Sequence, residues 1–332
     1  MRRTILSIDG GGIRGAASAR FLTLVEKELK RHDRDLRSAV DLWAGTSTGA
    51  IIAVALATTD LTMETISELY NPKLASIIFT ENRGWFELDG INAPKYEGKG
   101  KTRVLREYFG SRTLGDVPDG KHALAVAHGV ECNHPVVLKS TRKEYRKLRA
   151  SEVVDASTAA PSYFPSKRVR YLETGDQDWL IDGGVISNNP TVCAMAEALR
   201  HCDGTTLDNL QVLSVGTGKP TRYTPGPDSE RWGALGWVTK GRIFSLLGNE
   251  QVSAYQAMTF CRAGHYIRVN SPLARMPGFA LTVADDMDNV SAKNISNLKA
   301  LGDYWFDHYG EAAVDLLRHE YSGPSLDSLT GA

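Results

Sequence analysis

The chain opens with a short apolar run, Thr4 to Ile8, that stops at Asp9 and three glycines. Apolar residues then recur at helical spacing as Phe21, Leu22, Val25 and Leu29. A continuous apolar run bounded by glycine predicts a buried strand, and the recurrence predicts a helix from about Ala16 to Arg31. Val40 to Ala44 repeats the first pattern and Thr46 to Thr48 form another sharp turn. Gly49 to Thr58, rich in small and β-branched apolar residues, predicts a helix covered on all sides. One strand, turn and helix unit is thus written twice within about sixty residues.

Leu61 to Phe79 is expected to continue as one amphipathic helix, after which Thr80 to Gly100 loses periodicity and reads as a long loop. Further strands are expected at Ala123 to Ala127, Pro135 to Lys139, Trp179 to Ile181, Val212 to Val215 and Tyr266 to Val269, with a helix at Pro190 to His201. Gly218 to Glu230 is irregular and leads into a segment rich in Trp232, Leu235, Trp237, Ile243, Phe244, Leu246 and Leu247. Ala292 to Tyr321 reads as a closing helix with Tyr304, Trp305 and Phe306 available to pack. The alternation of strands and helices predicts a largely parallel sheet flanked by helices.

At 332 residues, 42% of them apolar and 23% charged, the chain is sized and composed for one large globular domain. Lys plus Arg and Asp plus Glu balance at 39 each. No overall field therefore exists to hold the chain on a nucleic acid polymer or an anionic bilayer. Cys132, Cys193, Cys202 and Cys261 form no CxxC pair and no ligand spacing with histidine, which fits a reduced cytoplasmic setting better than a zinc site or a disulfide framework. The run after Arg2 and Arg3 is too short for a signal-peptide core, and the longest apolar candidate, Ala50 to Ala57, is too short to span a bilayer. A lipid substrate would have to be met by peripheral contact from solution.

Gly45-Thr46-Ser47-Thr48-Gly49 fits G-x-S-x-G, the turn that presents a serine nucleophile between a strand and a helix. The predicted strand before it and helix after it are the context that chemistry needs. The competing reading is a small-residue helix start with Thr46 or Ser47 as an N-cap.

Gly10, Gly12 and Gly15 also match G-x-G-x-x-G, so a dinucleotide loop competes with an oxyanion loop. A dinucleotide fold needs an acidic residue at the end of a second strand, whereas Asp33 and Asp35 fall in a polar run, Arg31 to Arg37. An oxyanion loop needs glycines because backbone N–H groups must themselves approach the substrate. Arg14 could face a lipid phosphate or make a structural ion pair.

None of the histidines, at 32, 122, 128, 134, 201, 265, 308 and 319, sits in a catalytic motif, although His265 lies near a strand and follows Ser47 in a plausible order. Ile181-Asp182-Gly183-Gly184 offers a carboxylate at a strand end. A Ser-Asp dyad works if Asp182 bonds the Ser47 hydroxyl directly and a water-poor pocket raises its pKa. A bare D-G-G, however, is also a common turn.

Taken in order, Asp9-Gly10-Gly11-Gly12-Ile13-Arg14-Gly15, Gly45-Thr46-Ser47-Thr48-Gly49 and Asp182-Gly183-Gly184 resemble the three blocks of the patatin-like phospholipase family. Ala156 to Pro165 and Asn188-Asn189-Pro190 resemble it too, so the similarity spans roughly residues 4 to 220. The resemblance implies a three-layer α/β/α fold with a mostly parallel central sheet. It further implies a Ser-Asp dyad without histidine and hydrolysis of acyl esters in phospholipids or lysophospholipids without metal or cofactor. Ser47 would be the nucleophile, Asp182 the base, and Gly10, Gly11 and Gly12 the oxyanion hole, with Arg14, Gly15, Gly45, Gly49, Gly183 and Gly184 supporting. Gly184 is no departure, since the family carries alanine or glycine there. Residues 1–220 would form the catalytic core. Residues 221–332, where no family motif is found, would complete the same domain with helix-rich elements facing lipid or regulation; a small regulatory nucleotide and a homo-oligomer are both compatible with this.

Transient contact with a membrane surface could come from Trp85, Phe86, Leu88 and Ile91 or from Trp232, Trp237 and Phe244, although such clusters also build cores. Lys95, Lys99, Lys101 and Arg103 could attract anionic headgroups or simply form a solvated face. Two other functions compete with the lipase: a Ser-His-Asp esterase using His265 on small soluble esters, and a non-enzymatic nucleotide-binding module using Gly10 to Gly15.

Overall fold

A computed structural model describes residues 2–82, 93–221, 226–233, 236–237 and 249–327. Eight strands form one sheet: β1 (Arg3–Ile8), β2 (Leu42–Thr46), β3 (His122–Gly129), β4 (His134–Lys139), β5 (Lys167–Arg170), β6 (Gln177–Asp182), β7 (Leu210–Val215) and β8 (Tyr266–Val269). Their order is β5-β6-β3-β2-β1-β7-β8, with β4 paired to β3 off this path. The stretch from β3 through β2, β1 and β7 to β8 is parallel, whereas β4, β5 and β6 join antiparallel at the β3 side.

Seven helices of eight residues or more are described: α1 (Gly15–Lys30), α2 (Thr48–Thr58), α3 (Lys99–Phe109), α4 (Ala150–Ser157), α5 (Thr191–His201), α6 (Gln251–Phe260) and α7 (Ala292–Leu317). Alternation along the strands builds the layers. Leu6, Ile8 and Trp43 point into one buried cluster shared with α1, α2, α4 and α7, while Ile5, Leu42 and Ala44 point into another shared with α5 and α6. Every residue of α2 is buried, as its uniformly apolar sequence predicts.

Most expected elements are present, with three differences. Leu61 to Phe79 is two short helices, Met63–Glu68 and Pro72–Ile78. Asn71 caps the second, and Pro72 supplies no N–H to carry the first onward. β2 lies two residues later than expected, so the strand runs up to the turn itself. The short strand β5 and the helices α3, α4 and α6 were not anticipated. Leu235, Ile243, Phe244, Leu246 and Leu247 lie outside the described residues, as do Trp85, Phe86, Leu88 and Ile91.

In the C-terminal third, β8 extends the parallel sheet beside β7, and α7 packs against α1 with Trp305 fully buried. Trp232 and Trp237 meet edge to face with ring centres 5.5 Å apart.

Candidate active site

Ser47 follows the last residue of β2 and precedes α2. Its backbone sits at φ 53°, ψ −122°, a conformation few side-chain-bearing residues adopt. It stands at the N-cap position of α2, as the alternative reading expected, but its side chain makes no capping hydrogen bond. The turn closes because Gly49 presses against the Ile8 carbonyl, a contact that any Cβ would occupy. The Ser47 N–H donates to Ser157 Oγ at 3.0 Å, and Thr46 Oγ1 donates to the Ser187 carbonyl at 2.8 Å.

Asp182 ends β6 and is buried. Register explains how it reaches Ser47: Thr46 pairs with Val126 of β3, and Asp182 pairs with the next residue, Ala127, along the same edge of β3, the opposite edge being taken by β4. The two strand ends therefore stop at adjacent rungs. The Ser47 hydroxyl lies beside the Asp182 carboxylate and favours its ionised form, and the Gly184 N–H donates to Asp182 Oδ1 at 2.7 Å. Burial pushes the Asp182 pKa up to about 6, against the pull of the Ser47 hydroxyl, the Gly184 amide and the Lys101 charge.

The glycine loop lies against the same serine. A Cβ on Gly10 would stand 3.2 Å from Ser47 Cβ. The Gly10 N–H already donates to the Asn188 carbonyl at 3.0 Å, and the Gly10 carbonyl accepts from Thr217 Oγ1 at 2.7 Å. Gly12 has φ 59° and abuts Met287, whose carbonyl accepts the Ile13 N–H at 2.8 Å. Gly15 lies against Thr48, Gly45 against the start of α2, and Gly183 against the Val126 carbonyl. Arg14 is 7% exposed and donates from Nε to the Gly11 carbonyl at 3.2 Å, with the charges of Asp285 and Asp9 nearby.

The loop is anchored from below by a pair that sequence reading missed. Asp9 and Arg268 are both 1% exposed, and Arg268 Nη1 reaches Asp9 Oδ1 at 3.0 Å while Nη2 bonds Oδ2. Glu250 adds a second carboxylate 3.6 Å from Arg268. Its neighbours hold Arg268 charged, whereas burial pushes Asp9 up to about 6. Lys101 was also misread as part of a surface run. It is 2% exposed and paired with Asp155 at 3.2 Å, because α3 turns that residue inward. Lys95 bonds Asp288 at 2.5 Å, and Lys99 and Arg103 are exposed.

His265 stands at the wrong end of the sheet. It immediately precedes β8, and its Nδ1 bonds the carbonyl of Leu210, the first residue of β7. Leu210 pairs with Arg3, at the start of β1, whereas Ser47 lies beyond the other end. The separation is the length of a six-residue strand, about 20 Å. The dinucleotide reading fares no better, since Asp35 caps the short helix Leu36–Ala39 and the strand beside β1 ends in the serine turn.

A strained serine with a buried carboxylate and a glycine loop beside it is the arrangement that serine hydrolase chemistry requires. The chain matches the Patatin family, described as Patatin-like phospholipase, over residues 6–195. It is 28% identical to Patatin-like protein 2 of Oryza sativa subsp. indica, over 96% of this chain and 87% of that protein. It is 27% identical to Patatin-like protein 2 of Arabidopsis thaliana, over 98% and 85%, and 27% identical to Patatin-2-Kuras 4 of Solanum tuberosum, over 90% and 85%. Among solved structures it is similar to VipD from Legionella pneumophila, with a TM-score of 0.44 and 13% identity over 91% of this chain and 67% of that one. The chain belongs to the patatin-like phospholipase family and is a lipid acyl hydrolase, a serine hydrolase acting on carboxylic ester bonds. Among the described residues no helix is long and apolar enough to cross a membrane.

Proposed function

We propose that the chain releases fatty acid from membrane phospholipids or lysophospholipids through a Ser47–Asp182 dyad and an acyl-enzyme. Ser47 attacks the acyl carbonyl while Asp182 takes its proton, and the head alcohol leaves with that proton. Water, activated by the same carboxylate, then releases the fatty acid and restores Ser47. The observation that carries this reading is the strained Ser47 turn set beside the buried Asp182 carboxylate, whose ionised form the Ser47 hydroxyl favours.

The pKa of about 6 suits the base, because it remains ionised at neutral pH yet is far more basic than a free aspartate. With the Gly10 N–H committed to Asn188, the amides of Gly11 and Gly12 are assigned as the oxyanion donors and Gly10 as the residue that admits the loop to Ser47. Arg14, held between the loop and Asp285, supports the loop's shape. Residues 1–220 would supply the catalytic groups. Residues 221–332 would complete the domain, a reading supported by Arg268 beneath Asp9 and Met287 against Gly12. Substrate is met at a membrane surface from solution.

The test is product analysis by mass spectrometry from mixed phospholipid vesicles. Wild type should release fatty acid, Ser47→Ala should fall to background, and Asp182→Ala should lose at least about 10²-fold. Equal release by all three would remove the proposal.

A further inference from the structure

The C-terminal end of α4 touches both members of the dyad. Ser157 is fully buried; its Oγ accepts the Ser47 N–H at 3.0 Å and donates to the Val126 carbonyl at 2.6 Å. Two residues on, the Ala159 carbonyl accepts the Asp182 N–H at 3.0 Å. One short stretch therefore holds the nucleophile's amide, through the Ser157 hydroxyl, and the base's amide, through the Ala159 carbonyl, and Ser157 also fastens it to β3, along whose edge β2 and β6 meet.

That stretch is itself fastened by a buried cation. Lys101 Nζ donates to the carbonyls of Asp155 at 3.2 Å and Thr158 at 2.8 Å and to Thr158 Oγ1 at 2.9 Å, and lies 3.2 Å from Asp155 Oδ1. A cation placed on the last carbonyls of a helix satisfies acceptors that have no partner within the helix and opposes the negative end of its dipole. Lys167 of β5 secures the other Asp155 oxygen at 2.9 Å. A buried Lys–Asp–Lys cluster is expensive to desolvate, and two of its members lie on α3 and α4, next to the site.

We propose that residues 155–159 form a positioning clamp for the dyad, in which Ser157 tethers the strained Ser47 turn and Lys101 locks the helix end that carries Ser157 and Ala159. This rests on the Ser47–Asp182 reading. Neither residue touches substrate; both act through the geometry of the pair. Lys101 has a second, electrostatic effect. The groups facing Asp182 are the Ser47 hydroxyl, the Gly184 amide and the Lys101 ammonium, and those facing Lys101 are Asp155, Lys167 and Asp182. Each of the three groups facing Asp182 favours its carboxylate form, so loosening the clamp should raise the pH at which the base ionises.

The experiment is the pH dependence of kcat/KM on a soluble p-nitrophenyl ester, with active sites counted by titration with a fluorophosphonate. Ser157→Ala should lower kcat per titrated site by about 10²-fold with KM little changed, the cost expected of a small misplacement of reacting groups. Its acid limb should move to higher pH. Lys101→Met should move the limb the same way, and Lys101→Arg should restore it. Should Ser157→Ala not fold, Ser157→Cys carries the same test. Acid limbs that stay at the wild-type position in the Ser157 and Lys101→Met variants would overturn the clamp, even if yield or melting temperature fell. Ser47→Ala and Asp182→Ala run alongside separate the two ideas: if both are inactive while Ser157→Ala matches wild type, the clamp alone fails.

Discussion

The Asp182 carboxylate lies beside the Ser47 hydroxyl because their strands, β6 and β2, end at adjacent rungs on the same edge of β3. The meeting depends on β6 running antiparallel, so that it descends to a rung beside the end of β2 and stops there. A parallel β6 would have placed its last residue pointing away along the sheet.

The position of Gly11 yields the first prediction. A Cβ there would stand 2.7 Å from Thr217 Cβ, and Thr217 holds the Gly10 carbonyl. Gly11→Ala should displace the loop and lower kcat by about 10²-fold or more, the cost of losing an oxyanion donor. Circular dichroism should remain that of a folded chain; wild-type turnover would contradict the assignment.

Asp182 should weaken the fold that uses it. Its pKa rises from 3.8 when free to about 6 when folded, so the folded chain holds this proton more tightly. Stability from this group is therefore greatest below about pH 4 and declines as pH rises through 6. Asp182→Asn should remove that loss and be more stable than wild type at pH 7.5 by on the order of 3 kcal/mol, with the gap closing near pH 4. Urea unfolding at the two pH values measures it, and a gap independent of pH would contradict it.

Strain at Ser47 is separable from chemistry. Ser47→Ala keeps a Cβ at φ 53°, whereas Ser47→Gly does not. Both should be inactive, but Ser47→Gly should be the more stable by about 1 kcal/mol, within the range for backbone strain of this kind. Equal unfolding midpoints would show that the turn is relaxed.

Arg268→Met would leave Asp9 buried without its bidentate partner. Loss of about 3–5 kcal/mol is expected, and adding Asp9→Asn should recover part of it. Unfolding curves of the single and double variants test this; additive losses would deny the coupling.

The serine turn, the glycine loop and the aspartate turn were legible because each is a local pattern whose glycines and strand context are written side by side. The sheet order was not, since antiparallel pairing of β6 with β3 is decided by long-range register. Arg268 and Lys101 were invisible for a related reason. A charged residue reads as surface unless its partner is known, and Asp9 and Asp155 are distant in sequence. Ser157 stood within a stretch recognised by resemblance, but only the fold shows that its hydroxyl holds Ser47. The break at Pro72, by contrast, was legible and was overridden by the periodicity of the residues on either side of it.

The most direct measurement is peptide mapping after reaction with a fluorophosphonate, comparing wild type, Ser47→Ala and Asp182→Ala. The label is expected on the peptide containing Ser47, absent in Ser47→Ala and slowed by at least about 10²-fold in Asp182→Ala. A label on another serine, or ester hydrolysis that persists in Ser47→Ala, would contradict the dyad.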